Sequence, residues 1–430
     1  MNMDMNTNSG KLFSDKLMQE IKDKFHFVDR DPNDRERLFF DNAGGSFRLK
    51  KAVEKLSQVD AIPDCPERIH DIALSLQAIQ KKGSDDFKTI LNAEGGAVYA
   101  SLTASGAMFD IVRAIVENVP GSNTVTTVLE HPSAYDAMVS YSDKTGKQLR
   151  VAKSNAITGG VDVEEICRLI DENTCLLNVI YASNISGAKL DIKNIVKQAR
   201  AIKPDLYIVV DAVQHAPHGL IDLAETPVDA INIAPYKFYG CRGSGMAWLS
   251  NRAAALSHHK LIGRPEDFWN LGSPAPAQYA VITEITDYVC WIGAQLGESI
   301  SRRAQFVAGI TAIELHERAL LAHMLNGTEA VTGLRNLNGV TVFLDYDDLA
   351  KRDLIIAIEI AGIEHTQAVR EYAKRGVIVY ERVSTSIYSK RMLESFGMRG
   401  AIRVSPLHCH SSQDIDQFLR ITAELCDSLR

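Results

Sequence analysis

Cysteine is sparse and scattered in this 430-residue chain: the seven thiols lie at 65, 167, 175, 241, 290, 409 and 426, and no pair is separated by only two residues. An odd, dispersed set argues against a disulfide framework and a structural zinc cluster, and points to a reducing, cytoplasmic setting. Basic charge is not in excess, with 47 Lys and Arg against 54 Asp and Glu and a formal net charge of −7. Nucleic acid is therefore not expected as a partner. No apolar run reaches the roughly 18 residues of a membrane span, so none is expected. The opening Met-Asn-Met-Asp-Met-Asn-Thr-Asn-Ser-Gly lacks the basic and apolar regions of a signal peptide and reads as a frayed end. Repeats and low-complexity segments are missing too. With 46% hydrophobic residues and little charge imbalance, disorder is excluded and a large core is expected.

What is present is an alternation. An amphipathic helix is expected over 11–28, a short strand over 38–40 entering the turn Asp-Asn-Ala-Gly-Gly at 41–45, and helices over 48–60 and 67–92. From about 95 onward, strands at 97–102, 124–129, 148–152, 175–181, 206–211, 230–233 and 245–249 alternate with helical patterns. Strands apolar on both faces, separated by helices, predict a mostly parallel seven-stranded sheet covered on both sides. A long helical pattern over 277–325 ends that series. Strands at 340–344, 376–380 and 401–405 then predict a smaller α+β C-terminal unit. The expected division is a segment 1–37 packing on the small domain, a large domain over 38–290 and a small one over 291–430.

Ligands of open parallel sheets collect beyond the carboxyl ends of the strands. The residues there are chemically unusual. Asp211 closes one strand, with Gln214 one turn on. Lys237 follows 230–233, Glu130 and His131 follow 124–129, and Asn184 follows 175–181. Thr-Ala-Ser-Gly-Ala at 103–107 directly precedes a helix. Pyridoxal 5'-phosphate needs such a set: an amine for its aldehyde, a buried carboxylate for its pyridine nitrogen, and an imidazole or aromatic ring over its face. Its phenolic oxygen needs an amide, and its phosphate needs a helix N-terminus with hydroxyls. Taken singly, Asp211 also reads as a helix cap, His131 before Pro132 as a helix start, and Arg403 as half of an ion pair.

Val-Asp-Ala-Val-Gln-His at 210–215, leading to Ala-Pro-Tyr-Lys-Phe-Tyr-Gly-Cys-Arg-Gly-Ser-Gly at 234–245, resembles a family pattern. The pattern is Asp-x-x-Gln followed by Ser-x-His-Lys-x-x-Gly-Pro-x-Gly-x-Gly, found in class V aminotransferases of the cysteine desulfurase-like group, which are fold-type I pyridoxal-phosphate enzymes. The likeness covers nearly the whole chain, from Phe39 to Asp416. It implies that Lys237 carries the cofactor, Asp211 pairs with the pyridine nitrogen, Gln214 meets the phenolic oxygen and His131 stacks on the ring. Asn184 is implied to contact the cofactor or the substrate carboxylate, with Arg403 and Asn42 as further substrate-binding residues. Thr103, Ser105, Gly106 and Tyr236 are implied around the phosphate, and Ser273 takes the place of a Thr that reaches it from the partner subunit. A homodimer with its active site at the subunit interface is therefore expected.

Three departures qualify the likeness. Ala234 and Tyr236 replace the family's Ser and His, and Cys241 replaces a Pro. The loop over 381–400, where true desulfurases carry a persulfide-forming cysteine, contains none. The resemblance thus implies an enzyme acting on a small L-α-amino acid through an external aldimine and a quinonoid. The leading expectation is a β-elimination lyase, with an aminotransferase, an epimerase or a non-catalytic pyridoxal-phosphate-binding protein as alternatives. An aminotransferase needs a second cation, for which Arg242, Arg264, Arg382 and Arg399 are candidates. His-Cys-His at 408–410 is not expected to bind metal, because alternate residues of a strand point to opposite faces.

Overall fold

The computed structural model describes residues 9–297 and 301–429. After helix α1 (Asp15–Asp23) and the two-residue strand β1 (Leu38–Phe39) come α2 (Lys50–Asp60) and α3 (Asp71–Leu91). The alternating series follows: β2 (Ala97–Ser101), α4 (Ala104–Asn118), β3 (Asn123–Thr127), α5 (Pro132–Thr145), β4 (Gln148–Ala152), α6 (Val163–Cys167) and β5 (Thr174–Ile180). It continues through α7 (Ile192–Ile202), β6 (Tyr207–Asp211), β7 (Ala230–Ile233), β8 (Gly245–Leu249) and α8 (Asn251–Ala254). Its seven strands form one sheet in the order β2-β8-β7-β6-β5-β3-β4. Only β8 runs antiparallel to its neighbours, and the other pairings are parallel. Every residue of β3, β5 and β8 is buried, as expected of strands covered by helices on both faces. The ends of β2, β3, β5, β6 and β7 and the start of β8 therefore open on one edge.

The pattern expected as one helix over 277–325 is two, α9 (Pro276–Gln295) and α10 (Arg302–Asn326). They pack closely because glycines meet at the crossing. A Cβ on Gly293 would run into the main chain at Gln305, and one on Gly309 into that at Val289. Position 290 thus lies inside α9. Core membership changes further on, along α10: Phe306, Ile310 and Ile313 pack into the large core, while Leu320, Leu321, Met324 and Leu325 join a second one.

Beyond α10 come β9 (Val340–Phe343), β10 (Ile356–Ile360), α11 (His365–Lys374), β11 (Val377–Ile378), β12 (Tyr380–Val383), α12 (Lys390–Ser395), β13 (Gly400–Val404) and α13 (Ser412–Ser428). Four of the strands form an antiparallel sheet in the order β12-β13-β10-β9. Strand β10, central in that sheet, is absent from the sequence expectation. The single strand expected at 376–380 is split: β11 pairs in parallel with β1, while β12 joins the antiparallel sheet.

The segment before β1 lies across both parts. Lys11 donates its amide to Leu315 O (2.8 Å), Phe13 stacks on His316 (4.3 Å) and Lys22 pairs with Asp414 (3.2 Å). Leu17, Ile21 and Phe25, however, belong to the large core. Residues 1–8 of that segment lie outside the described residues. Among the described residues, no helix is long and apolar enough to cross a membrane.

Candidate active site

The open edge of the large sheet holds a cavity of about 360 Å³. Its walls include Thr103, Ala104 and Ser105 from the β2–α4 turn, His131 and Ser133 after β3, and Ile180 and Asn184 after β5. Asp211 and Gln214 come from the end of β6, and Ala234, Tyr236 and Lys237 from the 3₁₀ turn after β7. Arg242, Gly243 and Ser244 complete it just before β8.

Lys237 is buried, and its Nζ donates to Gln214 Oε1 at 3.4 Å. Burial pulls the pKa of this amine down to about 8, helped by the positive charges of Arg403 and Arg382 and opposed by Asp211 and Asp41. A lysine poised near neutrality is a nucleophile and a base, unlike a solvated one. Asp211 accepts the Val213 amide (3.1 Å), and burial raises its carboxyl above the usual range. Its other oxygen belongs to a buried carboxyl on the cavity wall, where a cationic partner would stabilise ionisation.

His131 caps α5. Its Nδ1 meets Ser133 Oγ at 2.7 Å, and Pro132 sits at the first helical position. Burial, with Lys237, Arg382 and Arg391 nearby, drives its pKa down to about 3, so the ring is neutral. Beneath it, Glu130 is wholly buried. One carboxyl oxygen accepts from Ile180 N (2.8 Å) and Thr127 Oγ1 (2.7 Å), and burial raises its pKa to about 8. Glu130 thus ties β3 to β5 as a neutral acid.

Pyridoxal phosphate fits this donor set. Two buried polar atoms of wall residues, Asn184 Oδ1 and Ser244 Oγ, have no hydrogen-bond partner among the described residues. Thr103 Oγ1 caps α4 by accepting from Gly106 N (2.9 Å), leaving the other first-turn amides of a 15-residue helix at the cavity wall. Ser244 brings a hydroxyl to the corner that Ala234 leaves without one. Arg242 adds a guanidinium 4.3 Å from the centre of the Tyr236 ring.

Not every expected residue converges. Asn42 turns inward: its Nδ2 donates to Phe39 O (2.9 Å) and Ser405 O (3.2 Å), and its Oδ1 accepts from Phe47 N (3.3 Å). That amide pins the 42–44 turn and is no part of the cavity wall. Gly106 has its amide engaged by Thr103, and a Cβ there would crowd Ser101 Oγ at 2.7 Å, so its part is in the turn. Ser273 is exposed in the loop before α9, where it bonds Glu67, away from this chain's own cavity. Arg403 is buried and already holds the Asp41 carboxylate (2.7 Å) and Asn184 O (3.3 Å). Glu130, Ser133, Ser244 and Arg382 enter the site or its lining shell without having been singled out for it. Only the strand-end position of Glu130 and the cation count that included Arg382 gave any signal.

A mostly parallel sheet with a buried, pKa-lowered lysine beside a buried aspartate at its carboxyl edge defines a fold-type I pyridoxal-phosphate enzyme. The chain belongs to the class V aminotransferase family, whose model matches residues 38–418, and its cofactor is pyridoxal 5'-phosphate. Among curated relatives, it is 22% identical over 423 residues to a probable cysteine desulfurase of Borreliella burgdorferi, covering 93% of this chain and 94% of that one. It is 24% identical over 404 residues to the aminotransferase-like protein FGM3 of Gibberella zeae, covering 90% and 94%. Among solved structures, the cysteine desulfurase of Thermococcus onnurineus NA1 superposes with a TM-score of 0.78 at 18% identity, over 95% of this chain and 98% of that one. The cysteine desulfurase CsdA of Escherichia coli gives 0.77 at 17% identity, over 98% and 100%.

Proposed function

We propose that this protein is a pyridoxal-phosphate-dependent β-elimination lyase acting on a small L-α-amino acid bearing sulfur or another leaving group at Cβ. The observation that carries the reading is Lys237, an amine lowered to about 8 in a cavity walled by Asp211, Gln214 and a neutral imidazole. Bound there, the cofactor supplies an electrophilic aldehyde and an electron sink. Lys237 would carry the cofactor through its amine and, once freed by the substrate amine, would be the base for the substrate Cα proton. Asp211 keeps the pyridine nitrogen protonated, Gln214 and Asn184 orient the ring substituents, and His131 covers one face and excludes water. Thr103, Ser105, Ser244 and the α4 amides hold the phosphate, with Tyr236 and Arg242 closing that end.

Elimination is favoured over persulfide transfer by what lies above His131. The loop between β12 and β13 brings Tyr388, its ring centre 5.8 Å from that of His131, and no cysteine. A second copy of the chain is expected to complete the phosphate end with its own Ser273 segment. Consistent with this, Leu102, beside Thr103, is 84% exposed here, and Leu271 and Ile262 are exposed too.

Incubation of the holoenzyme with a panel of L-amino acids, with and without keto acids, tests the reading. Pyruvate with ammonia or sulfide is the expected product. A new amino acid formed from the keto acid would assign an aminotransferase instead, and inverted substrate alone an epimerase. Uptake of no pyridoxal phosphate would overturn the assignment.

A further inference from the structure

Helix α12 stands on the connection between two strands of the small sheet, yet its apolar side turns to the large domain. Met392 and Leu393 are buried in the large core. Ser154 Oγ, just after β4, lies within hydrogen-bond distance of Ser395 O (3.1 Å) and Ser395 Oγ (3.0 Å). This docking carries Arg391, in the first turn of α12, against the end of β3. Arg391 is half-buried, and it donates Nη2 to Glu130 O (2.7 Å) and Nη1 to Val128 O. Its guanidinium also lies 3.7 Å from the centre of the Tyr135 ring in α5. A solvated arginine leaves its fork to water, whereas this one is withdrawn from it and pinned at three points.

Those three points bracket one residue. Val128 and Glu130 precede His131, and the Glu130 carbonyl belongs to the peptide that joins it to His131. Tyr135 follows one helical turn on, and its amide donates to His131 O (3.0 Å). The His131 ring is tied within its own turn, Nδ1 to Ser133 Oγ at 2.7 Å. It therefore goes where the backbone of 128–135 goes. His131 and Ser133 are walls of the cavity, and Arg391 stands behind them, outside it.

We infer that Arg391 is a positioning residue for the cofactor: from the β12–β13 connection it fixes the chain on both sides of His131, and so holds the imidazole wall of the cavity in place. The inference rests on the cofactor reading given above and deepens it. It adds a side chain of the small domain that touches neither cofactor nor substrate, and through which a shift of α12 reaches the cofactor's face.

The test titrates the cofactor-free protein with pyridoxal phosphate and reads visible absorbance and visible circular dichroism. It compares the parent, R391Q, H131N and the double variant. H131N keeps a side chain able to cap α5 but removes the ring. R391Q is expected to weaken pyridoxal phosphate binding about tenfold and to diminish the visible dichroism, as loss of charge-assisted hydrogen bonds to one turn should. That loss should be shared with His131, so that adding R391Q to H131N weakens binding by no more than about a further threefold. R391K keeps the charge and a donor and should recover part of the loss; it takes the place of R391Q in the cycle if R391Q does not fold. An R391Q protein with a lowered Tm but with affinity and dichroism within about twofold of the parent would make Arg391 a clamp for the fold alone and overturn the inference. A full tenfold loss in both backgrounds, of about 1.4 kcal/mol each, would show Arg391 acting independently of His131 and overturn it as well. Failure of the parent to take up pyridoxal phosphate would overturn the functional reading itself.

Discussion

Lys237 and Glu130 show how one dry edge of a sheet sets two opposite titrations. Burial holds the Lys237 amine at about 8, below its ordinary value, so the reactive neutral form becomes available more than about two pH units earlier than for a surface lysine. Uptake of pyridoxal phosphate by the cofactor-free protein should therefore rise with pH to a midpoint near 8. A midpoint above 10 in stopped-flow absorbance would show that Lys237 is solvated. Between pH 8 and the ordinary lysine value, the unfolded chain binds the extra proton, so this group makes stability rise with pH. Glu130 does the reverse. Its folded pKa of about 8 lies above its ordinary value, so between about pH 4.5 and 8 the folded state keeps a proton that the unfolded state has lost, and stability falls as pH rises. E130Q keeps the neutral shape and should remove that slope, gaining up to about 1.4 kcal/mol per pH unit on the parent across the window in urea titrations. Parallel pH profiles for the two proteins would mean that Glu130 is ionised in the folded state. Residues such as Lys237, Asp211, Gln214 and His131 were legible in the sequence because each follows an apolar run at a strand's carboxyl end. Arg382 was legible only as one of four cations, because its burial on β12 is a matter of tertiary packing that sequence does not record.

Elements repeat that pattern. The large sheet was legible strand by strand, since most of its strands are apolar runs and all but β6 and β7 are followed by a helix. Strand β10 was not: Ile356–Ile360 is a short run interrupted by Glu359, and it sits between the charged stretch 345–353 and helix α11, where little in the local sequence sets it apart. The break between α9 and α10 was hidden for a different reason, since helical periodicity resumes after it. What marks the pair instead is the glycine contact, where neither Gly293 nor Gly309 has room for a Cβ. G309V should push the two helices apart and destabilise the protein by about 1–3 kcal/mol or more. Thermal unfolding would show it as a lowered Tm, and an unchanged Tm would mean that the crossing is looser than described.

At the scale of the molecule, buried histidine–carboxylate contacts join the two parts alongside shared apolar packing at Leu344, Ala357 and Ala401. His215 after β6 meets Asp353 beside β10 at 3.1 Å, and His218 meets Glu317 of α10 at 2.6 Å, while Glu317 also accepts the His408 amide at 3.0 Å. Burial alone would raise the Asp353 carboxyl, but the His215 charge and hydrogen bond outweigh it and hold the group below its usual range. Its contribution is therefore present at neutral pH and lost as acid protonates it. D353N leaves His215 buried beside a weaker acceptor and should cost about 3–5 kcal/mol, reducing the advantage of the parent as pH falls. Equal stability of the two proteins at pH 7 in urea would show that the pair contributes nothing net. His215 itself stands next to Gln214, so the joint between the cores and the cofactor site share one turn of chain.

The Asp41–Arg403 pair has a consequence for how the protein is made. Its partners stand 362 positions apart in the sequence, as do Ala43 and Ser405, whose side chain accepts the Ala43 amide. A ribosome delivering about 5–20 residues per second must therefore translate through position 405 before both contacts can form. Until then the turn at 41–45 has no strand to rest against, and the cavity around Lys237 lacks one wall. The large sheet can assemble earlier in synthesis, but competence to hold an amino acid is acquired only after β13 (Gly400–Val404) emerges.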